Sequence, residues 1–134
     1  MRKAFTIDLD YLADQGIVEV RTSGVLPSSS WPEVIRASME EGDRRTCARY
    51  LVDHRKARFR FRFADMVNLP KIAASFPLAP NARIAILPPR GLERGADFIE
   101  AIMSNRGINL RIFVDRDEAI VWLADHARPN ILSF

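Results

Sequence analysis

The feature that most limits the fold is an alternation of short β-rich runs with helical patterns of about ten to fifteen residues. This alternation is typical of βαβ units, in which a helix connects two parallel strands of one sheet. Five runs have strand character, so we expect an α/β fold with a mixed sheet of about five strands. They are Phe5–Leu9, Ile17–Thr22, Ala48–Val52, Arg83–Leu87 and Leu110–Val114, and Arg58–Phe63 is a further extended segment.

The first two runs are close enough in sequence to form a hairpin. Asp14-Gln15-Gly16 lies between them, and Asp and Gly are common residues of tight turns. Helical patterns separate the later runs, so the strands after the hairpin are expected to be parallel. The sequence therefore predicts an N-terminal β-hairpin followed by βα units.

The helix boundaries can also be predicted from local patterns. Ser30 and Glu33 have the spacing of a capping box, which predicts a helix from Trp31, and Gly42 is well placed to end it. Pro70 removes a backbone donor and is expected to kink or split the second helical pattern. The later patterns are Ala64–Phe76, Leu92–Met103 and Asp115–Ala127, ended by Pro77, Gly107 and Pro129 respectively.

Composition places the chain among ordinary compact proteins, because 48% of its 134 residues are hydrophobic and 28% are charged. No linker, low-complexity tract or repeat interrupts it, so we expect a single domain over residues 1–134. Cys47 has no partner cysteine, and His54 and His126 lie far apart in the chain. Neither a disulfide framework nor a Cys/His zinc site is expected, and the sequence predicts no metal and no cofactor.

The N-terminal segment MRKAFTIDLD has two basic residues followed by acids, whereas a signal peptide has an apolar run at this point. No apolar stretch approaches the ~20 residues that cross a bilayer. We therefore expect a cytoplasmic protein without membrane insertion.

Two phrases of the sequence resemble a known family. One is the strand Arg83–Leu87, and the other runs from Phe113-Val114-Asp115 through Glu118-Ala119 to Trp122-Leu123. With the order β-hairpin, α, β, α, β, α, β, α, they resemble STAS/SpoIIAA-like domains, in particular bacterial SpoIIAA-like proteins of unassigned function. The resemblance covers nearly the whole chain and implies a right-handed βα superhelix with its helices on one face of the sheet.

The chain departs from this family at one position that matters for function. The family's anti-sigma-factor antagonists have a Ser or Thr after an Asp at the start of the second helix, and its phosphorylation switches partner binding. Here Asp65 is followed by Met66, which has no hydroxyl. The phosphoacceptor is therefore expected to be absent, and antagonist activity of that type is not expected.

The loops that follow parallel strands meet at one end of such a sheet, and this end is the expected place for a site. Asp53-His54-Arg55 is the most polar of these segments. Asp53 could orient His54 as a general base or hold Arg55 for an anion. The alternative is structural, with Asp53 paired to an arginine or capping a loop and His54 facing solvent, since successive residues of a strand point apart. No nucleophile elbow, P-loop, GxGxxG or HExxH motif occurs in the chain.

Two sets of arginines are further candidates for binding a ligand or partner. Arg90 and Arg94 flank a predicted helix start, where free amides could hold a phosphate or carboxylate, although exposed arginines are common there. Residues 44–62 contain eight basic residues and one acid, and such a local charge can steer association with an acidic protein. Strict alternation at 58–63 separates the charges from the aromatic rings, which disfavours nucleic acid. The arginines of this run are Arg58, Arg60 and Arg62.

Three functions follow as hypotheses. The first is a non-enzymatic protein-interaction or regulatory module that binds a protein partner or a second copy of itself. The second is a carrier of a small apolar or lipid-like ligand, because STAS-like domains share a general shape with lipid-carrying CRAL-TRIO domains. Its pocket would be lined by residues such as Phe76, Phe98 and Met103. The third is an enzyme that uses Asp53 and His54.

Overall fold

The computed structural model describes residues 4–125, apart from the side chains of Phe63 and Asp125. Five strands form one sheet in the order β1-β2-β3-β4-β5. The strands are β1 (Phe5–Leu12), β2 (Ile17–Pro27), β3 (Arg49–Arg60), β4 (Arg83–Leu87) and β5 (Asn109–Ile112). The α-helices are α1 (Trp31–Arg45), α2 (Leu69–Ala74), α3 (Ala96–Ser104) and α4 (Arg116–Asp125), and short 3₁₀ helices cover Ser28–Ser30, Phe63–Asn68 and Glu93–Gly95.

The N-terminal hairpin and the mixed sheet are confirmed. β1 is antiparallel to β2, and the pairs β2–β3, β3–β4 and β4–β5 are parallel. The hairpin turn depends on Gly16, which has φ 68° and donates its amide to the carbonyl of Leu12 at 2.8 Å. A positive φ costs glycine little, so the turn is well matched to its sequence.

The helices lie on both faces of the sheet, which corrects the expectation of one covered face. On the first face, Val18, Tyr50 and Val52 pack in the core beneath α1, and residues of α2 and α3 continue this layer. On the second face, Leu51 and Ala85 pack against α4. The two surfaces are called the α1 face and the α4 face below. The resemblance implied four helices on one face, whereas α1, α2 and α3 lie on the α1 face and the fourth helix, α4, packs on the other side.

β3 continues through the polar segment at which the sequence predicted its end. Arg21 pairs with Asp53, and Ser23 pairs with Lys56. One residue of β2, Thr22, therefore lies opposite two residues of β3, His54 and Arg55. This bulge shifts the alternation of side chains by one residue. In the part of β3 before the bulge, even-numbered residues such as Val52 face α1. In the part after the bulge, odd-numbered residues such as Ala57 face α1.

Two details at the ends of α1 differ from the sequence prediction. Ser30 Oγ donates to the carbonyl of Pro27 at 2.6 Å and does not cap the helix. The helix continues through Gly42 to Arg45, and a Cβ at Gly42 would lie 2.2 Å from the hydroxyl oxygen of Tyr50. Gly42 therefore allows close packing of helix on strand and does not end the helix.

The remaining boundaries agree better with the sequence. Pro70 lies in the first turn of α2, directly after a 3₁₀ helix, so the second helical pattern is split as expected. The predicted stop at Pro129 lies outside the described residues. No helix within residues 4–125 combines the length and apolar character that crossing a bilayer requires.

Candidate functional site

An aromatic pocket of about 440 Å³ opens on the α1 face, near the carboxyl ends of β3, β4 and β5. Helices α1, α2 and α3 each contribute one residue to its wall, and the loop after β4 forms its rim. The lining residues are Trp31, His54, Phe59, Phe61, Met66, Leu69, Ile86, Pro88, Gly91, Leu92, Arg94, Gly95, Ile99 and Ile112. We call this the aromatic pocket.

The bulge in β3 is what builds the aromatic wall. Because it shifts the alternation, Phe59 and Phe61 turn toward α1 and meet Trp31 at ring-centroid distances of 5.6 and 5.0 Å. The two phenylalanine rings stack on each other at 4.9 Å. Offset and edge-on arrangements at these distances are favourable for aromatic rings. Without the bulge, the arginines that alternate with these two phenylalanines would face the pocket instead.

Trp31 carries an unsatisfied hydrogen-bond donor in this wall. The residue is 7% exposed, and its indole Nε1 has no hydrogen-bond partner among the described residues. Trp31 also lines a smaller inner cavity of about 90 Å³, which continues toward Met103 and shares His54, Leu69 and Ile86 with the aromatic pocket. The indole thus stands at the boundary of the two spaces.

His54 lies deep in the same wall. It is 2% exposed, its Nδ1 shares a hydrogen bond of 2.6 Å with the hydroxyl of Thr22, and its ring meets Phe59 at 5.0 Å. Burial lowers the pKa of His54 from 6.5 to about 4, against the smaller opposing effect of the Asp53 charge. The imidazole is therefore neutral at physiological pH.

The α4 face carries charges at the same level of the sheet. Glu19 is 3% exposed. Its carboxylate accepts two hydrogen bonds of 3.1 Å from Arg116, one from Nε and one from a terminal guanidinium nitrogen. It also accepts a hydrogen bond of 3.2 Å from Arg21. Asp53 accepts two from the guanidinium of Arg55 at 2.9 and 2.8 Å. We call these five residues the charged cluster. Burial raises the pKa of Asp53, but hydrogen bonds and charge from Arg55 outweigh it, so that pKa lies below its ordinary value.

The residues predicted from the Asp53-His54-Arg55 segment are thus divided between the two faces. Asp53 and Arg55 pair with each other on the α4 face, while His54 is buried on the α1 face. His54 does not face solvent, and its described hydrogen bond is to Thr22 rather than to Asp53. The sequence correctly placed Asp53 with an arginine, but the geometry holds no Asp53–His54 pair.

The other predicted residues are also separated. Arg94 is on the rim of the aromatic pocket, whereas Arg90 lies with Arg55 in a separate cavity of about 280 Å³. Arg58 and Arg60 are exposed on β3, and Arg62 is exposed just after it. The predicted binding roles of all these arginines stay predictions.

The residues suggested for an apolar cavity were partly correct. Met103 lines the inner cavity. Phe98 is 43% exposed, and the guanidinium of Arg36 lies 5.9 Å from the centre of the Phe76 ring. Neither phenylalanine lines the aromatic pocket or the inner cavity. Trp31 was not singled out from the sequence, because an apolar residue at the start of a helix gives no local sign that it lines an open space.

No group of three or more His, Cys, Asp or Glu residues within the described range could hold a metal ion. Among the described residues that line the aromatic pocket there is also no carboxylate, thiol or hydroxyl side chain. The pocket therefore presents phenyl rings, alkyl groups, one thioether, one neutral imidazole, one indole and one arginine.

Comparison with known proteins identifies the fold. No family model matches the sequence, and no curated protein matches it. Among solved structures, it is similar to an uncharacterised DUF3478-family protein with a SpoIIAA-like fold from Shewanella loihica, with a TM-score of 0.57 and 15% identity. The match covers 92% of this chain and 98% of that one. A STAS-domain antisigma-factor antagonist from Rhodobacter sphaeroides gives a TM-score of 0.39 and 16% identity over 87% and 91% of the two chains. The chain has the SpoIIAA-like fold, and a fold alone does not carry a function.

Proposed function

We propose that this chain binds a small, mainly apolar ligand in the aromatic pocket, as a carrier or sensor without covalent chemistry. The observation that carries the proposal is an aromatic-walled space of about 440 Å³ at the carboxyl ends of the strands. Pockets for small molecules commonly measure about 300 to 1,000 Å³, whereas a well-packed core leaves few voids larger than a water molecule.

The chemistry of the walls supports binding rather than catalysis. Acid–base or nucleophilic catalysis needs a group that can accept a proton or attack the substrate. The described lining residues offer no carboxylate, thiol or hydroxyl for this role. His54 shares its Nδ1 with Thr22, and the carboxylate next to it in sequence, Asp53, is bound to Arg55 on the other face.

The expected affinity is modest. A ligand that buries about 300 Å² of apolar surface gains roughly 7 kcal/mol from its removal from water. Loss of translational and rotational freedom offsets part of this gain. Dissociation constants between about ten micromolar and one millimolar are therefore expected.

The proposal can be tested with N-phenylnaphthylamine, a neutral probe whose fluorescence rises in apolar surroundings. Leu92 lies on the rim and is 48% exposed, so Leu92→Trp should narrow the entrance without disturbing the core. We expect wild-type protein to enhance the fluorescence saturably and Leu92→Trp to weaken binding at least fivefold. Val121→Trp is the matched control, because Val121 is 66% exposed on α4. No saturable binding by wild type, or equal loss in both variants, contradicts the proposal.

Met66 supports a role without a phosphorylation switch. It occupies the position at which the resemblance would require a hydroxyl, and it lines the aromatic pocket. Asp65 before it accepts a hydrogen bond from the amide of Arg62 at 2.9 Å, which is a structural cap of the 3₁₀ helix. Partner binding controlled by phosphorylation at this position is therefore not part of the proposed function.

A second candidate function is association with an acidic protein surface. Lys56, Arg58 and Arg60 follow each other at alternate positions of β3 and are all exposed. Residues such as Leu51 and Leu87 form the part of the sheet that packs against α4. The three cations lie further along β3, outside that part. This row of cations favours an acidic partner through electrostatic steering.

The second candidate predicts salt-dependent binding to poly-glutamate. Charge reversal by Arg58→Glu with Arg60→Glu should weaken that binding at least tenfold at low salt, since each change replaces attraction by repulsion. Lys71→Glu with Arg106→Glu is the matched control, because Lys71 is exposed on α2 and Arg106 is exposed in the turn after α3. Equal losses in the two double variants would mean that net charge, not this row, binds the probe.

A further inference from the structure

We propose that the ligand of the aromatic pocket is neutral and carries one hydrogen-bond acceptor, such as a ketone, ester or amide carbonyl, which accepts from Trp31 Nε1. This inference rests on the proposed function and adds the chemical class of the ligand. Its starting point is that the indole nitrogen is buried in a wall shared by both cavities and has no partner among the described residues.

An unpaired buried donor needs an explanation. Most buried polar atoms in folded proteins have a hydrogen-bond partner, because leaving one unsatisfied is costly. The nearby hydroxyl of Ser38, which lines the inner cavity, already donates to the carbonyl of Val34 at 2.7 Å. A phenylalanine would fill the wall without a donor, so the indole is best explained by an acceptor that arrives with the ligand.

The remaining groups indicate that this acceptor is neutral. Arg94 is the one cation among the described lining residues, and it is exposed on the rim. His54 is buried and uncharged at neutral pH, since burial lowers its pKa to about 4. A carboxylate placed against Trp31 would therefore lose its hydration without meeting a buried positive charge, which is strongly unfavourable. A carbonyl loses less hydration and recovers a hydrogen bond.

The test uses three compounds of nearly equal shape as competitors of N-phenylnaphthylamine. They are methyl naphthyl ketone, isopropenylnaphthalene, in which a methylene group replaces the oxygen, and naphthoic acid in its ionised form. Each is measured on wild type and on Trp31→Phe, which keeps a ring in the wall and removes the donor. The ratio of alkene to ketone dissociation constants is compared between the two proteins, so that differences in solubility cancel.

We expect this ratio to be roughly threefold to tenfold larger in wild type than in Trp31→Phe, the effect of one net hydrogen bond. Ionised naphthoic acid should bind wild type more weakly than the ketone. A ratio that is equal in the two proteins, or a preference of wild type for the acid, overturns the inference while the proposed function stands. Absence of N-phenylnaphthylamine binding would instead remove the proposed function itself.

A second measurement keeps the inference testable if Trp31→Phe does not fold. The indole N–H proton of Trp31 in wild type should move downfield when the ketone is added and should move much less with the alkene. Trp122 is an internal control, because it lies on the α4 side with Phe113 and Arg83. Equal movement of the Trp31 resonance with both compounds contradicts the inference.

Discussion

The two faces of the sheet differ in how completely their buried polar groups are paired. On the α4 face, the buried carboxylate of Glu19 is bound by Arg116 and Arg21, and Asp53 is bound by Arg55. On the α1 face, the indole nitrogen of Trp31 is buried without a described partner in a wall of rings and alkyl groups. The charges described on the α4 face are paired by side chains of the protein itself, whereas the proposed ligand would supply the missing partner of Trp31 in the aromatic pocket.

The largest effect is expected at Arg116. Replacing it by methionine leaves Glu19, which is 3% exposed, with Arg21 as its described partner. Arg116 is itself 35% exposed but gives two hydrogen bonds to a buried carboxylate, so their loss should lower the free energy of unfolding by about 3 kcal/mol. Urea denaturation measures this change, with the exposed Arg106→Met as control. The affinity for N-phenylnaphthylamine should change less than twofold. A loss of affinity in Arg116→Met but not in the control would contradict the conclusion that the two faces act independently.

The next effect is a pH dependence that originates in the aromatic pocket. His54 binds a proton below about pH 4 when folded and below its ordinary pKa of 6.5 when unfolded. Between these values the unfolded state holds more protons, so stability is complete above about pH 6.5 and decreases as the pH falls toward about 4. His54→Gln cannot titrate and keeps a partner for Thr22.

Wild type should therefore lose roughly 2 to 3 kcal/mol more than His54→Gln between about pH 7 and pH 4.5. Urea denaturation at the two pH values measures the difference. Identical losses in the two proteins would show that the imidazole is accessible to protons in the folded state.

A smaller effect is expected at Thr22. Thr22→Val keeps the shape of the side chain but removes the hydrogen bond of 2.6 Å to His54. The free energy of unfolding should fall by about 1 kcal/mol, the usual net value of such a bond. Thr6→Val is the control, because its hydroxyl bond to Ser23 is exposed. A similar change in both variants would mean that the His54 environment is less buried than described.

The smallest effect concerns the exposed end of β3. Arg58→Gln with Arg60→Gln should change the free energy of unfolding by less than about 0.5 kcal/mol, as exposed substitutions usually do. Their aromatic neighbours Phe59 and Phe61 remain in contact with Trp31. Thermal denaturation measures this, and a loss above about 1 kcal/mol would show that these arginines stabilise the pocket wall.

The sequence predicted the parts of the fold that depend on local pattern. The hairpin turn at Gly16 and the split at Pro70 follow from backbone chemistry, and both were confirmed. The face chosen by α4 was missed because periodicity identifies a buried stripe without its partner. That helix buries Ala119 and Leu123 but exposes Val121, so its apolar residues are not confined to one side.

The candidate site was harder to predict, for a physical reason. Three polar residues in a row suggested that β3 ends at Asp53, whereas a bulge carries the strand through His54 and Arg55. One extra residue reverses which side chains face the helices, and no pattern in the sequence marks it. Trp31 and Phe59 could be identified as apolar, but their arrangement around an open space depends on tertiary packing.

Ligand binding in the aromatic pocket can be tested most directly by locating N-phenylnaphthylamine on the protein with intermolecular nuclear Overhauser effects. We expect contacts from the probe to Ile86, Ile99 and Ile112, which line the aromatic pocket. We expect no contacts to Ala119 or Leu123, which are buried on the α4 face. Contacts confined to the α4 side, or the absence of contacts to the three isoleucines when the probe is saturating, would contradict binding in this pocket.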